Sequence, residues 1–320
     1  MAKKPFASSA DLAPKQERFE TIAPGVFAMS AEGDPNVGAI EGEDFLICIE
    51  ARATPAAARR WLASLREVSS KPVRFLVLSH YHAVRVLGAS AFGADAIVAH
   101  QNTAELIDER GKQDWESEYQ RMPRLFEEPE SIPGLTRPTV TFADHLQIEL
   151  GGDRGRVELS YLGRGHTRGD IVVWHPASKT LFAGDLVEAE AALYTGDAYH
   201  REWATVTLDN VARLGAEHLV GGRGKVVHGS EQVLAAIEQS RSFLTTLISE
   251  TQKVIDRGGS LKEAFSACYA ALSPVYGKWP IFEHTVPFDV ARVFDELSGV
   301  EHPVIWTGAR DREIWDQLQD

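Results

Sequence analysis

Cysteine is nearly absent: Cys48 and Cys268 are the only two in 320 residues. So few thiols argue against a disulfide framework. Cys48 lies in an apolar strand pattern and Cys268 in a helical one, so both are expected as buried free thiols. No stretch approaches the ~18 apolar residues of a membrane span, and the start Met1-Ala2-Lys3-Lys4-Pro5 has no apolar region of the secretory kind behind it. A cytoplasmic protein with no membrane partner is expected. Positive charge is also short, with 33 Lys and Arg against 46 Asp and Glu and a net charge of -13. Because a phosphate backbone rewards clustered cations, no nucleic-acid partner is expected either.

What is present suffices for a large core: 44% of the residues are hydrophobic and 25% charged. Elements alternate as an α/β fold requires. After a polar, mobile tail over residues 1–20, strands are expected at 25–29, 37–41, 45–49, 73–78 and 96–99. A helix fits 54–68, with Thr54 as N-cap and Pro55 in its first turn. Short helical structure fits 86–92. Residues 101–126 read as a charged helix lying outside the sandwich and overhanging the site. Further strands are expected at 139–142, 146–150, 157–162, 171–175 and 180–183. Val233, Ile237, Leu244, Leu247, Ile248 and Val254 recur at helical spacing over 230–257. That helix packs on the sandwich or forms a homodimer contact. Gly258-Gly259 ends it and Ser260 caps another helix to about 272. Residues 274–287 read as an irregular aromatic loop able to close over a pocket, followed by a final helix over 287–297 and a tail carrying Trp306 and Trp315.

The chemistry concentrates in three motifs. Leu76-Val77-Leu78-Ser79-His80-Tyr81-His82 sets two histidines one residue apart just beyond an apolar strand. In extended chain, residues i and i+2 share a face, so the two imidazoles present a chelating pair suited to zinc or iron. Alone, such a pair could equally be two surface histidines. Downstream, Gly165-His166-Thr167 and Ala183-Gly184-Asp185 each close an apolar run with Gly-rich punctuation and one potential ligand. His80, His82, His166 and Asp185 thus make a set of three histidines and a carboxylate.

At these motifs the chain resembles the metallo-β-lactamase superfamily, whose first motif reads His-x-His-x-Asp-His and is followed by Gly-His-Thr and Ala-Gly-Asp. Residues 36–40, 45–50 and 53–55 resemble its opening hairpin and first helix start, with Glu50 where the family usually has Asp. The resemblance implies a four-layer αββα sandwich over 21–235 with a C-terminal helical extension over 236–320. Two departures stand out. The second-metal Asp and His of the first motif are replaced by Val84 and Arg85. In the segment 219–224, Arg223 occupies the histidine position of the family's Pro-Gly-His-Gly turn, with His228 as the alternative. One metal position therefore keeps its ligands while the other has lost them.

The resemblance then implies one divalent transition metal, zinc or alternatively iron, held by His80, His82, His166 and Asp185. His80, His82 and Asp185 are the expected catalytic residues, generating a hydroxide nucleophile. Arginine cannot ligate a metal, but it supplies positive charge and a fork of donors. Arg85 and Arg223 either neutralise Asp185 or bind a substrate anion, with Tyr194 and His284 as further substrate-binding candidates. Asp170 is expected to orient a loop or a ligand. His100, His145, His175, His218 and His302 are assigned structural or surface roles, and His200 falls among the substrate loops. The expected activity is hydrolysis of a small anionic ester, lactone or thioester. Two alternatives remain: an Fe(II) dioxygenase similar to the superfamily's persulfide dioxygenases, using His80, His166 and Asp185, or a binding protein built on a decayed site.

Overall fold

The computed structural model describes residues 4–319; Met1, Ala2, Lys3 and Asp320 lie outside the described residues. An antiparallel meander opens the fold, formed by β1 (Arg18–Ala23), β2 (Val26–Ala31), β3 (Asp34–Glu41) and β4 (Leu46–Ile49). Helix α1 (Pro55–Arg66) then returns the chain so that β5 (Val73–Val77) joins parallel to β4. Thr54 caps it, its Oγ1 accepting from Ala57 N at 3.1 Å. After α2 (Ala83–Val86), strand β6 (Ala96–His100), helix α3 (Gln101–Arg121) and strand β7 (Val140–Phe142) complete a seven-stranded sheet in the order β1 to β7.

The second sheet comprises β8 (His145–Glu149), β9 (Arg156–Tyr161), β10 (Ile171–His175), β11 (Thr180–Gly184), β12 (His218–Gly221) and β13 (Val227–His228), in the order β13-β12-β11-β10-β9-β8. Between β11 and β12 the chain forms α4 (His200–Glu202), a π-helical turn over Trp203–Thr207, and α5 (Leu208–Arg213). Four helices follow: α6 (Ser230–Asp256), α7 (Leu261–Tyr276), α8 (Phe282–Leu297) and α9 (Gly308–Gln319).

Two-residue periodicity decides the layering. In β4, Ile47 and Ile49 face the second sheet with Val77, Leu159 and Val173, whereas Leu46 and Cys48 turn toward Trp61 and Leu65 of α1. In β10, Ile171 and Val173 face inward while Val172 and Trp174 pack under Leu244 and Val290 of the extension. Helices thus cover both outer faces of two stacked sheets, the αββα sandwich with added C-terminal helices. Cys48 and Cys268 are buried free thiols, as expected. Among the described residues no helix is long and apolar enough to cross a membrane.

Several expectations need correction. The polar tail does not run to residue 20, because Arg18–Ala23 pairs with β2 as an edge strand. The boundary expected at 235 falls inside a continuous helix, Ser230–Asp256. The supposed loop over 274–287 is mostly helical: Pro274 lies inside α7 and Pro287 inside α8. A proline there forfeits one backbone bond, but Phe282, Val286, Val290 and Val293 bury one face of α8 almost completely, and packing overrides propensity. The tail after 297 also contains α9, whose Asp311, Trp315 and Leu318 recur on one buried face. His145 and His218 begin strands rather than sitting in turns.

Candidate metal centre

Strand β5 ends at Val77, and the next five residues bring both histidines of the first motif inside the protein. Glu50, at φ 67, holds this loop by accepting Ser79 N at 3.0 Å through Oε1. Left-handed backbone at a residue with a Cβ costs of order 1 kcal/mol, which the buried hydrogen bond offsets. At the far end, His82 precedes α2, whose Ala83 N donates to Asp114 Oδ2 at 2.6 Å. The Gly165-His166-Thr167 turn is fixed separately. Asp170 accepts from Thr167 N at 2.6 Å and from Thr167 Oγ1 at 3.1 Å.

These supports bring His80, His82 and His166 together, each offering one ligand atom within 4.8 Å of the other two. Their exposures are 0%, 3% and 0%. The rings of His80 and His82 are each tied back through one nitrogen, whereas both nitrogens of His166 are buried without a hydrogen-bond partner. His80 Nδ1 lies 2.8 Å from Ser79 Oγ, His82 Nε2 lies 3.1 Å from Asp197 Oδ2, and His166 Nδ1 lies 3.5 Å from Asp170 Oδ1. Nε2 of both His80 and His166 is buried with no hydrogen-bond partner. Orphaned buried nitrogens are costly, and two that converge with the ring of His82 fit a divalent ion. Burial holds His80 well below the ordinary imidazole range and also lowers His82, favouring the neutral form that ligates metal.

Asp197 was not legible as a site residue, yet it anchors one side of the triad. Besides His82, it accepts from Tyr81 Oη at 2.8 Å and from Arg110 Nη1 at 3.2 Å. Burial alone would raise its pKa, but the hydrogen bond and charge of His82, followed by Arg110 and Tyr81, bring it down to about 2. The only sequence cue was an acid set within the aromatic segment 194–199. Trp203 was missed as well. It sits on the π-helical turn, donates to Leu186 O at 3.1 Å, and packs its ring 6.1 Å from His166.

Asp185 Oδ2 lies 3.8 Å from Nε2 of both His80 and His166. Its oxygens are already engaged: Oδ1 accepts from Arg85 Nη2, and Oδ2 accepts from Arg223 Nη1 at 3.0 Å. Gly222 makes room for this cluster, since a Cβ there would come within 2.1 Å of Asp185 Oδ1. Burial would raise the Asp185 carboxyl, but Arg85, His80 and Arg223 hold it well below its usual range. Arg85 is fully buried and also donates to Asn36 O at 3.2 Å and Gly222 O at 2.8 Å. Its two Nη atoms thus serve Asp185 and backbone carbonyls, while its Nε is buried without a partner. Arg223 keeps an unpartnered Nε and lies 3.7 Å from Glu188. Burial pushes Glu188 up to about 8.

Tyr194 stands beside the triad, its ring centroid 5.6 Å from that of His82 and 6.2 Å from that of His166. Its buried hydroxyl makes no well-formed hydrogen bond, and the Arg121 guanidinium lies over its ring at 4.9 Å. His284 reaches Ser8 Oγ at 3.0 Å and packs on Phe288, which packs on Tyr194. His200 is a structural residue, buried between Thr195 Oγ1 and Glu296 Oε2 at 2.8 Å each. His228 lies on the surface away from Asp185, so the register that put Arg223 in the site is the observed one.

Comparison with known proteins agrees with this geometry. The sequence profile of the family described as the metallo-beta-lactamase superfamily matches residues 31–223. The chain is 34% identical over 162 residues to a metallo-beta-lactamase type 2 of Bacillus sp. (strain 170), a match covering 49% of this chain and 53% of that protein. It is 27% identical over 195 residues to the metallo-beta-lactamase type 2 of Bacillus cereus, covering 57% of this chain and 66% of that protein. The matched region thus spans between half and two thirds of these relatives. The crystal structure of DIM-1 metallo-beta-lactamase superposes with a TM-score of 0.54 at 20% identity, covering 73% of this chain and 98% of that one. That likeness speaks to the fold.

Proposed function

The chain belongs to the metallo-β-lactamase superfamily, and from that premise we propose that it is a metal-dependent hydrolase of small anionic esters, lactones or thioesters, with a single divalent ion in the His80, His82 and His166 cluster. The observation that carries this reading is the convergence of three buried imidazoles, two of them with an orphaned Nε2. Zinc is the favoured ion, because three neutral imidazoles and an open position make its usual catalytic set. When bound, such an ion acidifies water to a pKa of ~7 and polarises a carbonyl oxygen.

The protein's own groups do the rest. Ser79 and Asp197 fix the ring orientations of His80 and His82, and Asp170 lies 3.5 Å from Nδ1 of His166. Asp185 keeps its negative charge and sets a carboxylate between the triad and two guanidinium groups. Those guanidiniums fill the second-metal position, and their charge repels a second cation there. Arg223 Nε and the Tyr194 hydroxyl are buried donors without partners, suited to an anionic or carbonyl group of the substrate. The relatives' printed names add β-lactams to the candidate substrates.

A second reading rests on Asp185 standing at the same 3.8 Å from both His80 and His166, as a 2-His-1-carboxylate iron set would need. Engagement of each Asp185 oxygen by an arginine favours the three-histidine set. Elemental analysis of protein purified without added metal, paired with a hydrolysis panel of anionic esters, lactones, thioesters and β-lactams, tests the proposal. Stoichiometric zinc with turnover of one of these classes supports it; stoichiometric iron without hydrolysis overturns it.

A further inference from the structure

Far from the triad, β12 and β13 pair antiparallel with His218 directly opposite His228. Cross-strand partners on one face are close neighbours, and here the two Nδ1 atoms come within 2.9 Å. His228 Nε2 lies 2.5 Å from Glu20 Oε1 on β1, the edge strand of the other sheet. Glu20 is itself steadied by Arg18 Nε at 3.7 Å. A carboxylate on Nε2 keeps the His228 proton at that nitrogen and leaves the Nδ1 lone pair facing His218. The same carboxylate-histidine arrangement orients imidazoles at metal centres. His228 is 45% exposed, so an ion can reach the pair from solvent.

We propose that His218 and His228 form a second, surface metal site, oriented by Glu20, for a divalent ion of the copper(II) or nickel(II) class. Imidazole ligands with water in the remaining positions bind copper(II) and nickel(II) most strongly among the divalent ions up to copper in the first row, and the nitrogen separation is compatible with that class. Two metal–nitrogen bonds of 2.0–2.1 Å that subtend a tetrahedral angle set their nitrogens about 3.3 Å apart, whereas a right angle sets them about 2.9 Å apart. The observed 2.9 Å matches the right angle, and adjacent right-angle positions belong to tetragonal copper(II) and nickel(II). On binding, His218 moves its proton from Nδ1 to Nε2 through solvent, and water fills the other positions. The ion bridges the neighbouring strands β12 and β13, while Glu20 holds His228 from the other sheet, and this arrangement exists only in the folded chain. The ion therefore stabilises the fold by mass action.

The test is a Cu²⁺ titration by calorimetry, with electron paramagnetic resonance of the bound copper, on wild type, His218→Ala, His228→Ala and Glu20→Gln. Contributions from the triad are common to all four proteins and cancel. One equivalent whose spectrum is tetragonal with nitrogen splitting is expected in wild type, with affinity at least tenfold lower in either histidine variant. Glu20→Gln should lower it by about 10-fold or more. His228 and Glu20 lie on edge strands and His218 on the interior strand β12, so unaltered melting without copper verifies the folding of each variant. Equal copper affinity in wild type and both histidine variants, or a copper spectrum unchanged by His228→Ala, would overturn the proposal.

Discussion

His82 Nε2 and Asp197 Oδ2 lie 3.1 Å apart, and Asp197 comes from the loop that also carries Tyr194. The orientation of one proposed metal ligand therefore depends on a residue 115 positions downstream of it.

Asp197→Asn keeps the shape of the side chain but removes its charge. Loss of such an outer partner typically weakens metal binding by 10–100-fold. That range is expected for Asp197→Asn in chelator competition, with folding intact by circular dichroism. Affinity equal to wild type would remove Asp197 from the metal centre.

His80→Ala or His166→Ala should abolish metal retention through gel filtration, whereas His228→Ala should leave the tightly held ion in place. Elemental analysis after gel filtration should read one ion per chain in wild type. Two ions resistant to the same treatment would contradict the arginine-filled second position.

Arg85→Leu leaves Asp185 buried with one of its two ion-pair partners gone, at an expected cost of about 3–5 kcal/mol. Chemical denaturation measures it. Arg85→Leu/Asp185→Asn should recover most of that loss. If the single variant is as stable as wild type, Arg85 is not the counter-charge of Asp185.

Glu188 supplies the pH test, made on metal-free protein. Its folded pKa is pushed up to about 8, while an unfolded glutamate titrates near ~4.3. Between those values the native state holds a proton that the unfolded chain has released. Stability therefore falls as pH rises through that window, by up to ~1.4 kcal/mol per unit, and levels off above the folded value. Glu188→Gln should lose this component of the slope. A slope identical to wild type would mean that Glu188 ionises normally.

The sandwich and the triad were legible because both depend on local pattern: apolar alternation ending in His80-Tyr81-His82, then Gly-punctuated turns at His166 and Asp185. Arg85 and Arg223 were visible as departures from a motif, but the sequence left open whether they served Asp185 or a substrate. Asp197 and Trp203 were not legible, since their roles come from tertiary contacts with His82 and His166. The extension was misread where Pro274 and Pro287 suggested irregular chain, because burial of Val286, Val290 and Val293 decides that segment.

All three triad histidines are at most 3% exposed, and Tyr194, Phe288 and Trp306 pack together nearby as part of one buried cluster. An ion held there would give up its protein ligands only as the segments around them open, while its open position stays available to water. Its residence time is then a property of the protein's breathing, and loading and loss should follow the opening rate of the surrounding segments. Metal exchange in this chain becomes a clock for local unfolding, with a temperature dependence closer to that of amide protection than to that of an imidazole bond.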